Sequence, residues 1–555
     1  MNSTRNSNLT RGASIMVISV TLTKILGLIY IIPLSRLIGD TGMGIYSNAY
    51  NLYIILSTLS TAGFPTAMGK LISERLALKK FGDVEQIYRV TMTILSLLSI
   101  PLAALMWFGA PIYSHLIALK DPNESASYLT WSVRAVAPSL LVVPIISGLR
   151  GYLIGFQRLE APAYSQALEQ IVRVVAIVAG AAMVIQWNKH DPLTGAASGA
   201  AAATFAAFLG ALAALVLLLF AVAPVRREAK PSRADGSTIS SRTALKTLYH
   251  IALPISIGSL VLPIAGIIDS LTVQNLLMFK GLSFKEAISQ YGILSQQAMK
   301  LAQLPMAFAM AIGSSILPAM AHANALRDHA TVEEQVAGTI RSMFFMTFPV
   351  VAALLIVPVP IDRVLFRTTD GSGIIAGVAL MGVFSSLELV STYMLQGIGN
   401  MYRPVRNMFI GVFIKLILNL LFILPFGILG AAFATTVGYL VSSTLNILAV
   451  KKYGRMKLSF WRIASPSLIA TGFLCVSMAI TNWLAFHAAV HLIASDFWLR
   501  TWQLTAALLV GAVVYVIASI RLHAVSANEL RRLPAIGRRF ARLAERIQPR
   551  QSRTV

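Results

Sequence analysis

Residues 194–222 read TGAASGAAAATFAAFLGALAALVLLLFAV, 29 positions without a charged side chain. A bilayer core about 30 Å thick is crossed by about 20 apolar residues in a helix. Water is absent at that depth, so a single crossing stretch satisfies its backbone polar groups only by coiling on itself. Outward from this stretch the same character recurs. The spans run approximately 12–37, 45–69, 87–110, 128–150, 163–186, 194–222, 248–275, 291–320, 338–360, 373–398, 407–425, 428–450, 463–486 and 500–521. The expectation is an all-α polytopic membrane protein with 14 transmembrane helices. Composition agrees: 56% of the 555 residues are hydrophobic and 12% charged, and mean hydropathy is +0.72, outside the usual range of soluble domains.

The first span follows a short polar segment carrying Arg5 and Arg11, is too long for a signal-peptide core and has no small-residue cleavage site, so it is expected to remain as a helix. The single cysteine, Cys475, has no intrachain disulfide partner. His487 and His491 are spaced i,i+4 but fall beside an external loop, where a surface pair is the simpler reading, and no metal-ligand spacing occurs elsewhere. No soluble catalytic domain and no P-loop are evident, so ATP-driven transport by this chain alone is not expected, and the reading is a transporter, not an enzyme.

Net charge is +24. With the N-terminus in the cytoplasm, cytoplasmic segments hold 33 Lys and Arg, external loops 8 and span interiors 5. The positive-inside rule then places both termini inside. The basicity marks topology, and nucleic acid is not an expected partner.

Two parts of the chain repeat. Gly155, Pro162 and Arg173 recur as Gly397, Pro404 and Lys415, 242 residues later. Gly199-Ala200-Ala201 and Thr204 recur as Gly430-Ala431-Ala432 and Thr435, 231 residues later, and Ala62-Gly63-Phe64-Pro65 matches Ala302-Gln303-Leu304-Pro305. A six-helix unit returns the chain to its starting side, so its two copies insert in parallel and relate by a pseudo-twofold along the membrane normal. The expected organisation is an N-lobe over 1–225, a cytoplasmic linker over 226–246, a C-lobe over 247–450, spans 13 and 14 within 451–521 outside the duplication, and a basic cytoplasmic tail over 522–555. The tail carries apolar residues at spacings of three and four from Leu530 to Ile547 among arginines, a pattern that fits either a helix on an anionic membrane surface or a solvated tail.

Eight charges lie inside the spans: Lys24, Arg134, Arg173, Lys300 and Lys415 against Glu169, Asp269 and Glu388. A charge at mid-bilayer depth costs roughly 2.5 to 3.5 kcal/mol on insertion scales, so such residues normally face a cavity. Surplus positive charge there suits an anionic cargo. Lys24 and Lys300 are deep enough to favour a cavity role over a structural partner. Arg173 has Glu169 one turn earlier, in the favourable order for an ion pair, so pairing and cargo contact stand level. Lys415, its repeat mate, lacks that carboxylate and has Asn419 one turn later. Arg134 is near the outer end of its span, where snorkelling is cheap. Asp269 and Glu388 are open to binding an ion, taking a proton or pairing with the lysines. Pro33, Pro65, Pro138, Pro144, Pro254, Pro263, Pro305 and Pro318 permit helix kinks.

The segments Thr23-Lys24-Ile25-Leu26-Gly27, Gly42-Met43-Gly44-Ile45-Tyr46-Ser47-Asn48-Ala49-Tyr50 and Ala62-Gly63-Phe64-Pro65-Thr66-Ala67-Met68-Gly69-Lys70-Leu71-Ile72-Ser73-Glu74 resemble polysaccharide exporters typified by stage V sporulation protein B. These belong with the MurJ-type lipid II flippases in the multidrug/oligosaccharidyl-lipid/polysaccharide superfamily. The resemblance spans essentially the whole chain. It implies two six-helix lobes around a cationic cavity, and spans 13 and 14 forming a groove for a lipid tail. The implied activity moves an undecaprenyl-pyrophosphate-linked peptidoglycan precursor, lipid II, from the inner to the outer leaflet by alternating access, in cell-wall biogenesis and the maintenance of cell shape. Lys24, and Lys300 within Met299-Lys300-Leu301-Ala302-Gln303-Leu304-Pro305, match functional basic positions of the flippases; with Arg173 and Lys415 they form the expected substrate-binding set. Tyr30 stands where Gram-negative-type members carry a further arginine. Asp269, Asn419 and Thr435 match a sodium site of some members, although Ile423 occupies the place of a second acid. No cofactor is implied; sodium, protons or the membrane potential alone would drive the cycle. The implied setting is the bacterial plasma membrane, with membrane lipids and cell-wall synthesis proteins as neighbours. Rival readings are an exporter of a teichoic or capsular precursor, a cation-coupled multidrug extruder, which calls for cavity carboxylates, and a scaffold, which needs no buried lysines.

Overall fold

The computed structural model describes residues 25–187, 191–228, 239–454 and 459–524, with Ile15, Met16, Ser19, Leu22, Thr23 and Met456 besides. Lys24, the stretch 229–238 of the expected linker and the whole 530–547 segment lie outside the described residues. Every regular element described is helical, and 13 helical segments are long and apolar enough to cross a bilayer. The first, Ile25–Ala77, runs for 53 residues and takes in the end of the first expected span and all of the second, so the count agrees with the 14 read from sequence. The expected fold class is the observed one.

The chain divides into two compact units meeting at Gln296 and Gln297. The first contains α1 (Ile31–Thr61), α2 (Phe64–Ala77), α3 (Phe81–Ile117), α4 (Pro122–Val136), α5 (Ser139–Gly155), α6 (Glu160–Trp187), α7 (Pro192–Glu228), α8 (Ser241–Ser259), α9 (Val261–Phe279) and α10 (Phe284–Gly292). Its core gathers Met68, Ile72, Ile87, Leu149, Tyr152 and Leu218 from α2, α3, α5 and α7. A π-helical turn, Ile293–Ala298, follows α10. The second unit contains α11 (Met299–Ala302), α12 (Leu304–Ala325), α13 (His329–Ile356), α14 (Pro358–Phe366), α15 (Ser372–Val378), α16 (Met381–Gly397), α17 (Tyr402–Phe426), α18 (Ile428–Gly454), α19 (Phe460–Ala489) and α20 (Asp496–Arg521).

Several spans are broken, and the reason is partly local. Pro65, Pro138, Pro263 and Pro305 each sit within three residues of a break between helices, where the missing N–H removes a backbone bond. Pro144, Pro254 and Pro318 lie inside continuous helices. The break at Ala379 and Leu380 has no proline at all. Outside the spans, Asp328 caps α13 by accepting from the Thr331 amide at 3.0 Å. The Thr331 hydroxyl and amide hold that carboxyl below its usual range.

In each unit a close helix crossing falls on equivalent residues of α6 and α17. A β-carbon placed on Gly210 of α7 would lie 2.6 Å from the Glu169 carbonyl and 3.1 Å from Cβ of Arg173 on α6. One on Gly438 of α18 would lie 2.9 Å from the Gly411 carbonyl and 3.2 Å from Cβ of Lys415 on α17. Glu169 and Arg173 are the 242-residue mates of Gly411 and Lys415. Small residues at these points let the backbones approach, as membrane helices require when no hydrophobic drive separates them from lipid.

Gly210→Val and Gly438→Val should each overpack their crossing at a cost of about 1 to 3 kcal/mol. The readout is a lower thermal unfolding midpoint of the full-length protein in detergent. Gly472→Ala, where nothing lies within 4 Å of the added atom, should leave the midpoint unchanged.

Candidate functional site

On α6 the i,i+4 spacing aligns Ser165, Glu169, Arg173 and Ile177 on one face. Ser165 and Ile177 are buried, and the Glu169 and Arg173 side chains are only 15% and 13% exposed. Arg173 Nη2 donates to Glu169 Oε1 at 2.6 Å. From α5, Arg150 Nη2 donates to Glu169 Oε2 at 2.9 Å and its Nε to Ser165 Oγ at 3.0 Å. Two guanidiniums therefore share one carboxylate, and the group retains one positive charge. Nε of Arg173 is buried and makes no hydrogen bond among the described residues, while Nη1 donates to the Tyr50 hydroxyl at 3.4 Å.

Tyr50 belongs to a tyrosine ladder along α1. Tyr46 and Tyr50 stack with ring centroids 5.5 Å apart, and Tyr53 follows at 5.6 Å. The Tyr30 and Tyr46 hydroxyls share a 2.9 Å hydrogen bond. Tyr30 thus completes an aromatic row instead of adding a cation.

In the second unit the equivalent face of α17 carries Asn407, Gly411, Lys415 and Asn419, all buried. Opposite them on α18 stand Asn446, Ser442, Gly438 and Thr435, also buried. Asn407 Nδ2 donates to Asn446 Oδ1 at 2.9 Å. Thr435 donates within its own helix to the Ala431 carbonyl at 2.9 Å. The Ser442 hydroxyl is buried and has no hydrogen-bond partner among the described residues. Lys415 is 6% exposed in the middle of this polar seam.

Of the residues singled out from sequence, Lys415, Asn419 and Thr435 come together on the α17–α18 interface. Arg173 belongs to the first unit, where it pairs with Glu169, one of the two readings its spacing left open. Asp269 is buried on α9, also in the first unit. Lys300 is half-buried on the four-residue α11, directly after the π turn, a distortion often found at functional positions. Arg134 lies 5.7 Å from the Trp107 ring and 5.5 Å from the Trp131 ring, with its Nε on the Trp107 carbonyl at 3.3 Å, as an interface-anchored cation would. His487 and His491 are exposed.

Sequence reasoning missed Arg150, because it ends the 128–150 stretch and reads as a flanking cation. It also missed the Asn407–Asn446 pair, since neutral amides raise no charge signal. One available clue was positional: Ser165 and Asn407 stand 242 residues apart, the offset already visible at Arg173 and Lys415.

The polysaccharide biosynthesis protein family model matches residues 9–324. Among individual relatives, lipid II flippase MurJ of Bacillus subtilis (strain 168) is 25% identical over 96% of this chain and 99% of its own. Stage V sporulation protein B of the same strain is likewise 25% identical over 96% and 99%. A solved structure of a lipid II flippase MurJ in an inward closed conformation superposes with a TM-score of 0.65 at 16% identity, covering 91% of this chain and 97% of that one. The structural likeness carries the fold.

Removing the shared carboxylate should be more damaging than removing either cation. Glu169→Gln leaves two guanidiniums facing each other and should cost about 3 kcal/mol. Adding Arg150→Met to that variant should recover part of the loss, a non-additivity read from the thermal midpoints of the single and double variants.

Proposed function

The chain belongs to the polysaccharide biosynthesis protein family and is a multi-pass membrane transporter, and on that premise we propose that it flips an undecaprenyl-pyrophosphate-linked saccharide, lipid II foremost, from the inner to the outer leaflet. The observation that carries this reading is the uncompensated positive charge where Arg150 and Arg173 share Glu169. A pyrophosphate is the natural complement of guanidiniums with free donor capacity, because N–H groups and phosphate oxygens pair in a charge-assisted, bidentate manner. By the sequence reading, Lys24, Arg173, Lys300 and Lys415 are the cations offered to the cargo. The tyrosine faces beside Arg173 suit the saccharide portion. Carboxylates, which a cation extruder needs, are fewer than basic groups inside the spans.

On this reading both termini lie in the cytoplasm, which the distribution of Lys and Arg supports. A potential negative inside then favours outward movement of the anionic headgroup by about 2.3 kcal/mol per charge per 100 mV. The same field draws the unloaded cationic route back. The transport cycle needs no nucleotide on this account. Export of a different undecaprenyl-linked saccharide is a second reading, favoured by the equal full-length likeness to stage V sporulation protein B.

In a strain lacking redundant flippases, depletion of this protein should leave lipid II in the inner leaflet, measured by its loss of accessibility to an external lipid II-cleaving toxin. Unchanged accessibility rejects the lipid II assignment, and a matching assay for teichoic precursors then addresses the second reading. Lys415→Met keeps the apolar stem and removes the charge. Its lipid II exposure should fall about tenfold or more at unchanged protein level, the effect of losing one charge-assisted hydrogen bond.

A further inference from the structure

The turn that joins α16 to α17 is held by two backbone bonds, from the Gly399 amide to the Gln396 carbonyl at 3.0 Å and from the Asn400 amide to the Leu395 carbonyl at 2.8 Å, with Gly399 at a φ of 86°. The first unit makes the same turn 242 residues earlier. There the Gln157 amide donates to the Ile154 carbonyl at 2.9 Å and the Arg158 amide to the Leu153 carbonyl at 3.0 Å, with Gln157 at a φ of 59°. The residues that follow differ: Glu160, Ala161 and Tyr164 of the first copy become Tyr402, Arg403 and Arg406 in the second. Building the turn therefore requires neither arginine, and the second copy exchanges an acid for two guanidiniums. Beside the turn lies a cavity of about 370 Å³ lined by Gly399, Asn400, Met401, Tyr402, Arg403 and Arg406. No lining residue is acidic, and residues 389–495 hold eight Lys and Arg with no Asp or Glu. The Arg403 guanidinium stands 4.1 Å from the centroid of the Tyr453 ring on α18 and makes no hydrogen bond or ion pair among the described residues. Stacking occupies the face of a guanidinium and leaves its in-plane N–H groups available. Arg406 Nη2 donates to Asn407 Oδ1 at 3.2 Å, which orients that side chain and leaves its other donors.

We propose that this cavity binds a diphosphate group, with Arg403 and Arg406 each pairing with one phosphoryl unit. A guanidinium fork matches phosphate oxygens in a bidentate, charge-assisted manner. Positions three apart on a helix are neighbours, about 5 to 6 Å between β-carbons, so the two forks serve two linked phosphoryl groups better than two separate anions. The volume falls within the about 300 to 1,000 Å³ of small-molecule sites, which leaves space for a ring attached to the diphosphate. Tyr402, exposed at the rim, offers an aromatic face for that ring. Two sources carry the group: a lipid-linked diphosphate presented from the membrane and a soluble nucleoside diphosphate. On the topology that the charge distribution supports, this end of α17 is cytoplasmic, where both are within reach. Arg403 also opens the row that continues at four-residue spacing as Asn407, Gly411 and Lys415, so the cavity stands at the mouth of the polar seam. Diphosphate binding itself requires nothing of the transport assignment; only a role as the first contact of the cargo rests on that reading.

The test is calorimetric titration of the full-length protein in magnesium-free detergent solution with sodium pyrophosphate and, at equal ionic strength, with sodium sulfate. Pyrophosphate should bind about tenfold tighter than sulfate or better, because only it engages both forks. Arg403→Gln and Arg406→Gln should each weaken it about tenfold, the loss of one charge-assisted contact. Arg403→Lys should weaken it as well, since an ammonium keeps the charge and loses the fork, whereas Lys415→Met should leave it unchanged. Thermal midpoints matching that of the unaltered protein confirm that the variants are folded. Displacement of pyrophosphate by farnesyl diphosphate and not by UDP supports the site with a lipid-linked occupant, and the reverse supports it with a nucleotide. Equal affinity for sulfate and pyrophosphate would overturn the proposal, as would pyrophosphate binding that survives the double variant Arg403→Gln, Arg406→Gln. Failure of the lipid II measurement alone leaves this outcome untouched.

Discussion

A charge held inside a membrane span must be met by something other than water, and the first unit meets that requirement by dividing one carboxylate between two guanidiniums. Glu169 accepts from Arg173 on its own helix and from Arg150 on the preceding one. The arrangement closes α5 on α6 while leaving one unit of positive charge. Arg134 satisfies the same constraint differently, lying over two tryptophans near the end of its span. Lys415 is buried beside Gly438, whose missing side chain makes room for the lysine stem at the helix crossing. Position in the bilayer decides which solution is affordable, because the penalty for charge falls toward the interface.

The duplication shows how one framework yields two electrostatic outcomes. Ser165, Glu169, Arg173 and Ile177 on α6 correspond at a constant offset to Asn407, Gly411, Lys415 and Asn419 on α17. Both rows are inward-facing, and both cross a neighbouring helix at a glycine. The acid of the first row is replaced by glycine in the second. The cation of the first copy is therefore partly neutralised within its helix, and the seam around the second is made of amides and hydroxyls.

Much of this was legible in the chain. Spans were evident because about 20 apolar residues in succession have few other uses, and the Glu169–Arg173 pair followed from helical spacing alone. Helix breaks were legible where a proline removes a donor, as at Pro138 and Pro305, and illegible at Ala379–Leu380, where no proline marks the interruption. Arg150 was hidden because hydropathy assigns a terminal cation to the flank, while its contacts depend on how α5 meets α6. Asn446 and Asn407 were hidden for a related reason: a buried amide costs little enough in a span to pass unnoticed, and only its partner on another helix gives it meaning.

On the proposed function, a carrier of anionic lipid faces a further demand, since cations that grip the cargo in one state must release it in another. A guanidinium locked in an exclusive ion pair would have to break that pair before touching cargo, and a buried cation with no partner would hold cargo too firmly or destabilise the empty protein. Sharing resolves the conflict. With Glu169 between them, Arg150 and Arg173 each keep one strong contact and spare donors, so one can turn toward a phosphate while the other holds the carboxylate. The exchange then replaces one charge-assisted hydrogen bond by another at similar strength. Near-equal free energies of the loaded and empty states are what allow a modest driving force, such as the membrane potential, to set the direction of movement.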